Sequence, residues 1–170
     1  MSISIYEASI PTFLHTLRSL KAILEKGIAH AEAKQFDSIN LATARLFPDM
    51  LPLTRQVQIA SDAAKGAAAR LTGQEPPKFE DNEKTMAELI ARVDRTIDYL
   101  AGFQAAQFEG AETRTVTITT PQRSFSFPGL LFLHHWALPN FYFHVTTAYN
   151  LLRHSGVEIG KADFLGRVNS

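Results

Sequence analysis

The chain has 170 residues, with 17 basic against 17 acidic side chains, 45% apolar residues, 10% aromatics and no cysteine. That length suits one domain, residues 1–170, able to bury a core without covalent staples. A net formal charge of zero supplies no global field toward nucleic acid or an anionic membrane, so neither is expected as a partner. The lack of cysteine excludes disulfides, zinc ribbons, iron–sulfur clusters and a thiol nucleophile.

At the N-terminal end Glu7 precedes every basic residue, and Arg18, Lys21 and Glu25 interrupt the apolar positions. This is not the pattern of a leader, and a cytoplasmic protein is expected. From about Ile10 the apolar residues Phe13, Leu14, Leu17, Leu20, Leu24 and Ile28 keep the spacing of one helical face, with Pro11 in the first turn and an end near Lys34. A short helical segment, Ser38 to Leu46, follows, with Asp37 or Ser38 as its cap and Pro48 as its stop.

A second long helix is predicted from Pro52, its face marked by Leu53, Val57, Ala60, Ala64, Ala67 and Leu71, with Gly73 as the end signal. Gln74 to Lys78, with Pro76-Pro77, reads as a linker. The third long helix is predicted to open near Asp81 or Asn82 and to end by Phe108. Its stripe is Met86, Leu89, Ile90, Val93, Ile97, Leu100 and Phe103, and Glu88 pairs with Arg92 on its surface.

Period two then replaces the helical period. Val116 and Ile118 alternate with threonines, Phe125 and Phe127 with serines, around Thr120 to Arg123, which predicts one β-hairpin packed on the helices.

From Ser124 to Leu152 no Asp, Glu, Lys or Arg occurs in 29 residues, and eight aromatics fall there. Pro128, Gly129, Pro139, Asn140 and three histidines break the segment too often for a membrane span. It predicts a helix from Leu130 to Leu138 and another from Pro139 to Arg153, closed by Gly156 with Val157 folding back. Charge depletion with aromatic enrichment marks a core or an interface centre, and a homodimer using part of this segment is expected. The fold class is all-α: a four-helix bundle with a short helix after the first long one and a minor hairpin.

The stretch Pro139-Asn140-Phe141-Tyr142-Phe143-His144, followed by Thr146-Thr147-Ala148-Tyr149 and Leu152-Arg153-His154-Ser155-Gly156, resembles a family of uncharacterised, mainly bacterial proteins. Arg45 to Leu53 with Gln56, and Gly160 to Phe164, carry the same resemblance, so that it covers the whole chain. The family is similar to a branch of the DinB/YfiT-like helical-bundle superfamily. The resemblance implies a cleft at one end of the bundle. It also implies a triad of one histidine on the second long helix and an HxxxH pair on the last, which in some members binds a metal for thiol-dependent transfer or isomerisation. On that pattern His144 takes the second position of the pair, Asn140 the first, and Gln56 or Gln58 the place of the second-helix ligand. One imidazole and amides make a poor set for zinc or nickel, so no metal or other cofactor is assigned, a divalent ion being the alternative.

Asn140 and His144 are also one turn apart on one helical face, able to meet the same ligand or each other. The aromatics Trp136, Phe141, Tyr142, Phe143 and Tyr149 either line a cavity or fill the core. Gln56, Asn140, His144 and Tyr149 are the candidate ligand-binding residues, and no catalytic residue is assigned. His134 and His135, adjacent and therefore pointing apart, read as structural or surface residues, and Gln58 as part of a solvated face. Asp49 reads as a cap for the next helix. Ser61, with Asp62, has no base partner for a nucleophile. The expected protein is a bundle with a small-molecule cleft and an incomplete metal triad. The alternatives are a metal-dependent, thiol-using transferase retaining His144 as ligand, or a non-catalytic dimeric interaction module.

Overall fold

Two capping boxes set the starts of two of the long helices in the computed structural model, which describes residues 3–120 and 122–166. Ser4 Oγ accepts from the Glu7 amide at 3.2 Å while the Glu7 carboxylate accepts from the Ser4 amide at 2.9 Å, and α1 runs Ile5–Ala33. It therefore begins before the proline expected to open it. Pro11 lies in the second turn, on the outer face, where the Glu7 carbonyl that it leaves without a helical donor can turn to solvent. A short α2, Ile39–Ala42, follows, its first amide bonded to Asp37 at 2.9 Å, and α3 spans Leu53–Leu71. Asp49 is exposed, and α3 starts at Pro52 without a side-chain cap, so the capping role expected of Asp49 is not found.

The next long helix, α4, is Met86–Ala101 rather than a helix from Asp81. Thr85 and Glu88 form its capping box, with Glu88 N to Thr85 Oγ1 at 3.2 Å and Thr85 N to Glu88 Oε2 at 2.9 Å. Glu88 is thus committed to the helix start and does not pair with Arg92. A tight turn at Ala105–Phe108 separates α4 from the hairpin. Strands β1, Thr115–Thr119, and β2, Ser124–Pro128, pair antiparallel with Val116 opposite Phe127 and Ile118 opposite Phe125. Their apolar face covers the bundle, and Phe125 and Phe127 stand 5.3 and 6.1 Å from the Trp136 ring. Gly129 follows at a close approach, where a Cβ would collide with the Ala111 carbonyl oxygen.

The two expected final helices are one helical run. Here α5, Gly129–Phe132, passes through a π turn, Leu133–Ala137, into α6, Leu138–His154. A proline ring at 139 would press on the His135 carbonyl in a regular helix. The widened turn just before it relieves that clash and lets the helix continue. At the end of α6, Gly156 takes φ +91° and the Val157 amide reaches back to the Leu152 carbonyl at 3.1 Å. The last short helix, α7, is Lys161–Leu165, tied to α1 by Lys26 and Asp163 at 2.6 Å.

Helices α1, α3, α4 and α6 make the bundle, with α3 packed on α6 and α4, and α1 on α4 and α6. The small side chains Ala60, Ala64, Ala67 and Ala68 of α3 are buried in it. Phe13 and Phe141 meet edge to face at 5.0 Å near its centre. No described helix is long and apolar enough to cross a membrane.

Candidate functional site

Helices α3 and α6 run antiparallel, so the start of α3 faces the second turn of α6. That juxtaposition brings Gln56 to His144, with Gln56 Oε1 2.7 Å from His144 Nδ1. Gln56 is almost wholly buried and its amide nitrogen donates to the Leu51 carbonyl at 3.1 Å. A carbonyl can only accept, which fixes the orientation of the Gln56 amide. Its oxygen therefore faces the imidazole, Nδ1 must carry the proton, and Nε2 is left with its lone pair. Burial pushes the His144 pKa below its ordinary value, which favours this neutral tautomer. The Phe143 ring stands edge-on to the imidazole at 5.1 Å.

One turn along each helix from this pair, a cavity of about 190 Å³ opens between α3, α6 and the hairpin. Ala63 and Ala67 of α3 form one wall, and Phe132 and Trp136 the other. Asn140, Asp62 and Arg70 bring the polar groups. Asn140 lies on the same face as His144, as the i and i+4 spacing predicts, but points its contribution to the cavity rather than to Gln56. It does not cap a helix, because the helical run passes through it without a break. Tyr149 stands apart from both, packed edge-on to Phe164 of α7 at 6.0 Å. The four candidate residues thus divide: Gln56 and His144 together, Asn140 beside them in the cavity wall, and Tyr149 elsewhere. His134 and His135 are exposed, and the buried Ser61 hydroxyl has no partner among the described residues.

A second polar cluster was not foreseen. Arg92 of α4 has a fully buried side chain and holds Asp62 at 2.9 Å, Asp81 at 3.1 Å, Glu83 at 3.0 Å and the Glu80 carbonyl at 3.0 Å. Gln58, expected on a solvated face, is buried here, donating to Glu83 at 2.8 Å and accepting from Arg55 at 2.6 Å. Lys65 pairs with Asp62 at 2.6 Å and lies 4.7 Å over the Phe79 ring, with Arg95 over the same ring at 3.7 Å. The segment between α3 and α4 is thereby clasped onto both helices. Its signal was the run Glu80-Asp81-Asn82-Glu83 opposite a basic residue on the apolar side of a helix.

The metal triad implied by the superfamily can be tested on these residues. The Gln56 carbonyl oxygen already accepts from His144, and Asn140 is an amide one turn away. Among the described residues no group of three or more His, Asp or Glu stands where it could hold a metal ion. The donor set does not fit a tightly held zinc or nickel ion.

Residues 5–165 match the model of a family described as a domain of unknown function, DUF1993. Among solved structures, a DinB family member protein from Shewanella denitrificans is 44% identical, with a TM-score of 0.90, over 98% of this chain and 94% of that one. No curated protein matches.

Proposed function

This chain belongs to the DUF1993 family, a DinB-like branch of helical bundles, and we propose that it binds a small molecule between α3 and α6, beside the Gln56–His144 pair. The observation that carries this reading is the cavity of about 190 Å³ one turn from that pair. Asn140 lines it without a hydrogen-bond partner among the described residues, and a polar group left so in a pocket is suited to orienting a ligand. His144, with Nδ1–H held by Gln56, offers Nε2 as an acceptor or a base at neutral pH.

A thermal-shift screen of small molecules tests the proposal. A ligand held at one hundred times its dissociation constant stabilises the folded state by about 2.7 kcal/mol, worth several degrees in Tm for a chain of this size. Ala63→Leu, which fills the cavity, is expected to remove that shift. Finding no stabilising compound, or a shift that survives Ala63→Leu, would overturn the reading.

The second reading concerns assembly. Leu130, Leu131, Tyr142 and Phe143, all from the uncharged segment, are exposed, which favours a homodimer through part of this segment.

A further inference from the structure

Arg70 is in the last turn of α3, where a cation ordinarily serves the carbonyl end of the helix. Those carbonyls are taken by other groups. Thr72 Oγ1 donates to Ala68 and Ala69, the Gly73 amide to Arg70, and Arg114 Nη1 to Leu71. The Arg70 side chain instead folds back over Gly66, one turn earlier, and its guanidinium occupies the place a side chain there would fill: a Cβ on Gly66 would collide with Nη1. This brings Arg70 into the cavity wall. Among the described residues no oxygen accepts a hydrogen bond from it, and Glu75 reaches it only through its charge. Asp62, the acid on the same wall, already holds Arg92 at 2.9 Å and Lys65 at 2.6 Å on one oxygen, so its charge is balanced.

We propose that Arg70 is an anion-binding residue and that the cavity ligand is a small carboxylic acid with an apolar body. A planar guanidinium without a partner matches a carboxylate through two parallel hydrogen bonds. Ala63, Ala67, Phe132 and Trp136 would enclose the body of the ligand. A cavity of about 150 Å³ is enough for benzene, so 190 Å³ admits a ring of that size bearing a carboxylate. The Asn140 amide faces the same space. The inference rests on the small-molecule reading and adds the chemical class.

Trp136 is the one tryptophan in the sequence and lines the cavity, so its fluorescence reports occupancy directly. The full chain is titrated with acetate, isovalerate, benzoate and phenylacetate, and with the neutral amide of each. At least one acid should give a saturable change that its amide does not, and Arg70→Gln should weaken it by about tenfold or more. Gly66→Ala should cause a similar loss with Tm unchanged or higher, because the added methyl meets only the flexible guanidinium and favours the helix. Equal responses to acid and amide, or binding unaffected by both variants, would overturn the anion assignment while leaving the cavity reading intact. No response to any acid or amide would overturn both.

Discussion

His144 is held in a single tautomer by a chain of two hydrogen bonds, imidazole to Gln56 and Gln56 to the Leu51 carbonyl. Protonation at Nε2 would place a cation in a half-buried site with no carboxylate among its hydrogen-bond partners, and burial accordingly lowers its pKa in the folded state. In the unfolded chain the group keeps its ordinary value near 6.5. Between that value and the lower folded one the unfolded state binds more protons, so stability rises with pH across this window and falls on acidification. Melting temperatures between pH 7.5 and pH 5 should therefore drop in the native protein. His144→Gln, which does not titrate there, should show a shallower drop, and identical slopes would count against the desolvated imidazole. Residues of this kind are partly legible in a sequence. The four-residue spacing of Asn140 and His144 places both on one face, and helix order points to the start of α3. Spacing along one helix does not tell which partner lies across from it, and Tyr149, five residues past His144, is rotated away toward Phe164.

At the scale of elements, the bundle helices and the hairpin follow from periodicity, while several boundaries do not. The boxes Ser4-x-x-Glu7 and Thr85-x-x-Glu88 mark the true starts of α1 and α4, and in both cases a nearby proline or acidic residue suggested another start. The break expected at Pro139 disappears because a π turn accommodates the ring, an adjustment that packing supplies and the local pattern does not announce. The clasp between α3 and α4 is only faintly marked in the sequence, for a different reason. Arg92 reads as a surface partner of Glu88 until the fold brings Asp62, Asp81 and Glu83 around it. Removing one member of such a buried group leaves uncompensated charge, at a cost of about 3–5 kcal/mol. Arg92→Ala should lower stability by that much in urea unfolding. Arg92→Met, with similar volume and no charge, should lose less than Ala when Glu83→Gln is made alongside it. An Arg92→Ala effect below about 1 kcal/mol would mean that solvent already screens the clasp. Burial raises the Asp81 carboxyl, but Arg55 and Arg92 outweigh it and leave its pKa below the ordinary 3.8. The clasp should therefore hold above that value and loosen as pH falls through the lower folded one.

For the whole molecule, the open question is how far one bundle can absorb its own aromatics. Eight fall in the uncharged segment. The hairpin and the core take most of them inward: Phe132 and Phe141 are buried, and Phe125, Phe127, Trp136 and Tyr149 pack against the core. Tyr142 at 37% and Phe143 at 59% exposure are left over, with Leu130 and Leu131 from the same stretch. Leu51, also exposed, belongs to the loop whose carbonyl holds Gln56, next to the edge-on Phe143–His144 contact. A face with no charge of its own carries no repulsion against a second copy, and a two-fold axis would set the same apolar residues against one another. A stable contact needs roughly 800 Å² from each partner, more than these side chains alone provide, so the neighbouring polar residues of α6 must form its rim. Sedimentation or light scattering over a concentration series should give a dimer in the micromolar range, and Phe143→Ser, which removes the most exposed of the aromatic anchors, should return it to 18.9 kDa. Phe143 is a surface residue, so the variant should melt near the native temperature, apart from any stability that dimerisation adds. A native mass near 18.9 kDa at every concentration would overturn the dimer and leave Tyr142 and Phe143 as exposed residues of a self-sufficient monomer.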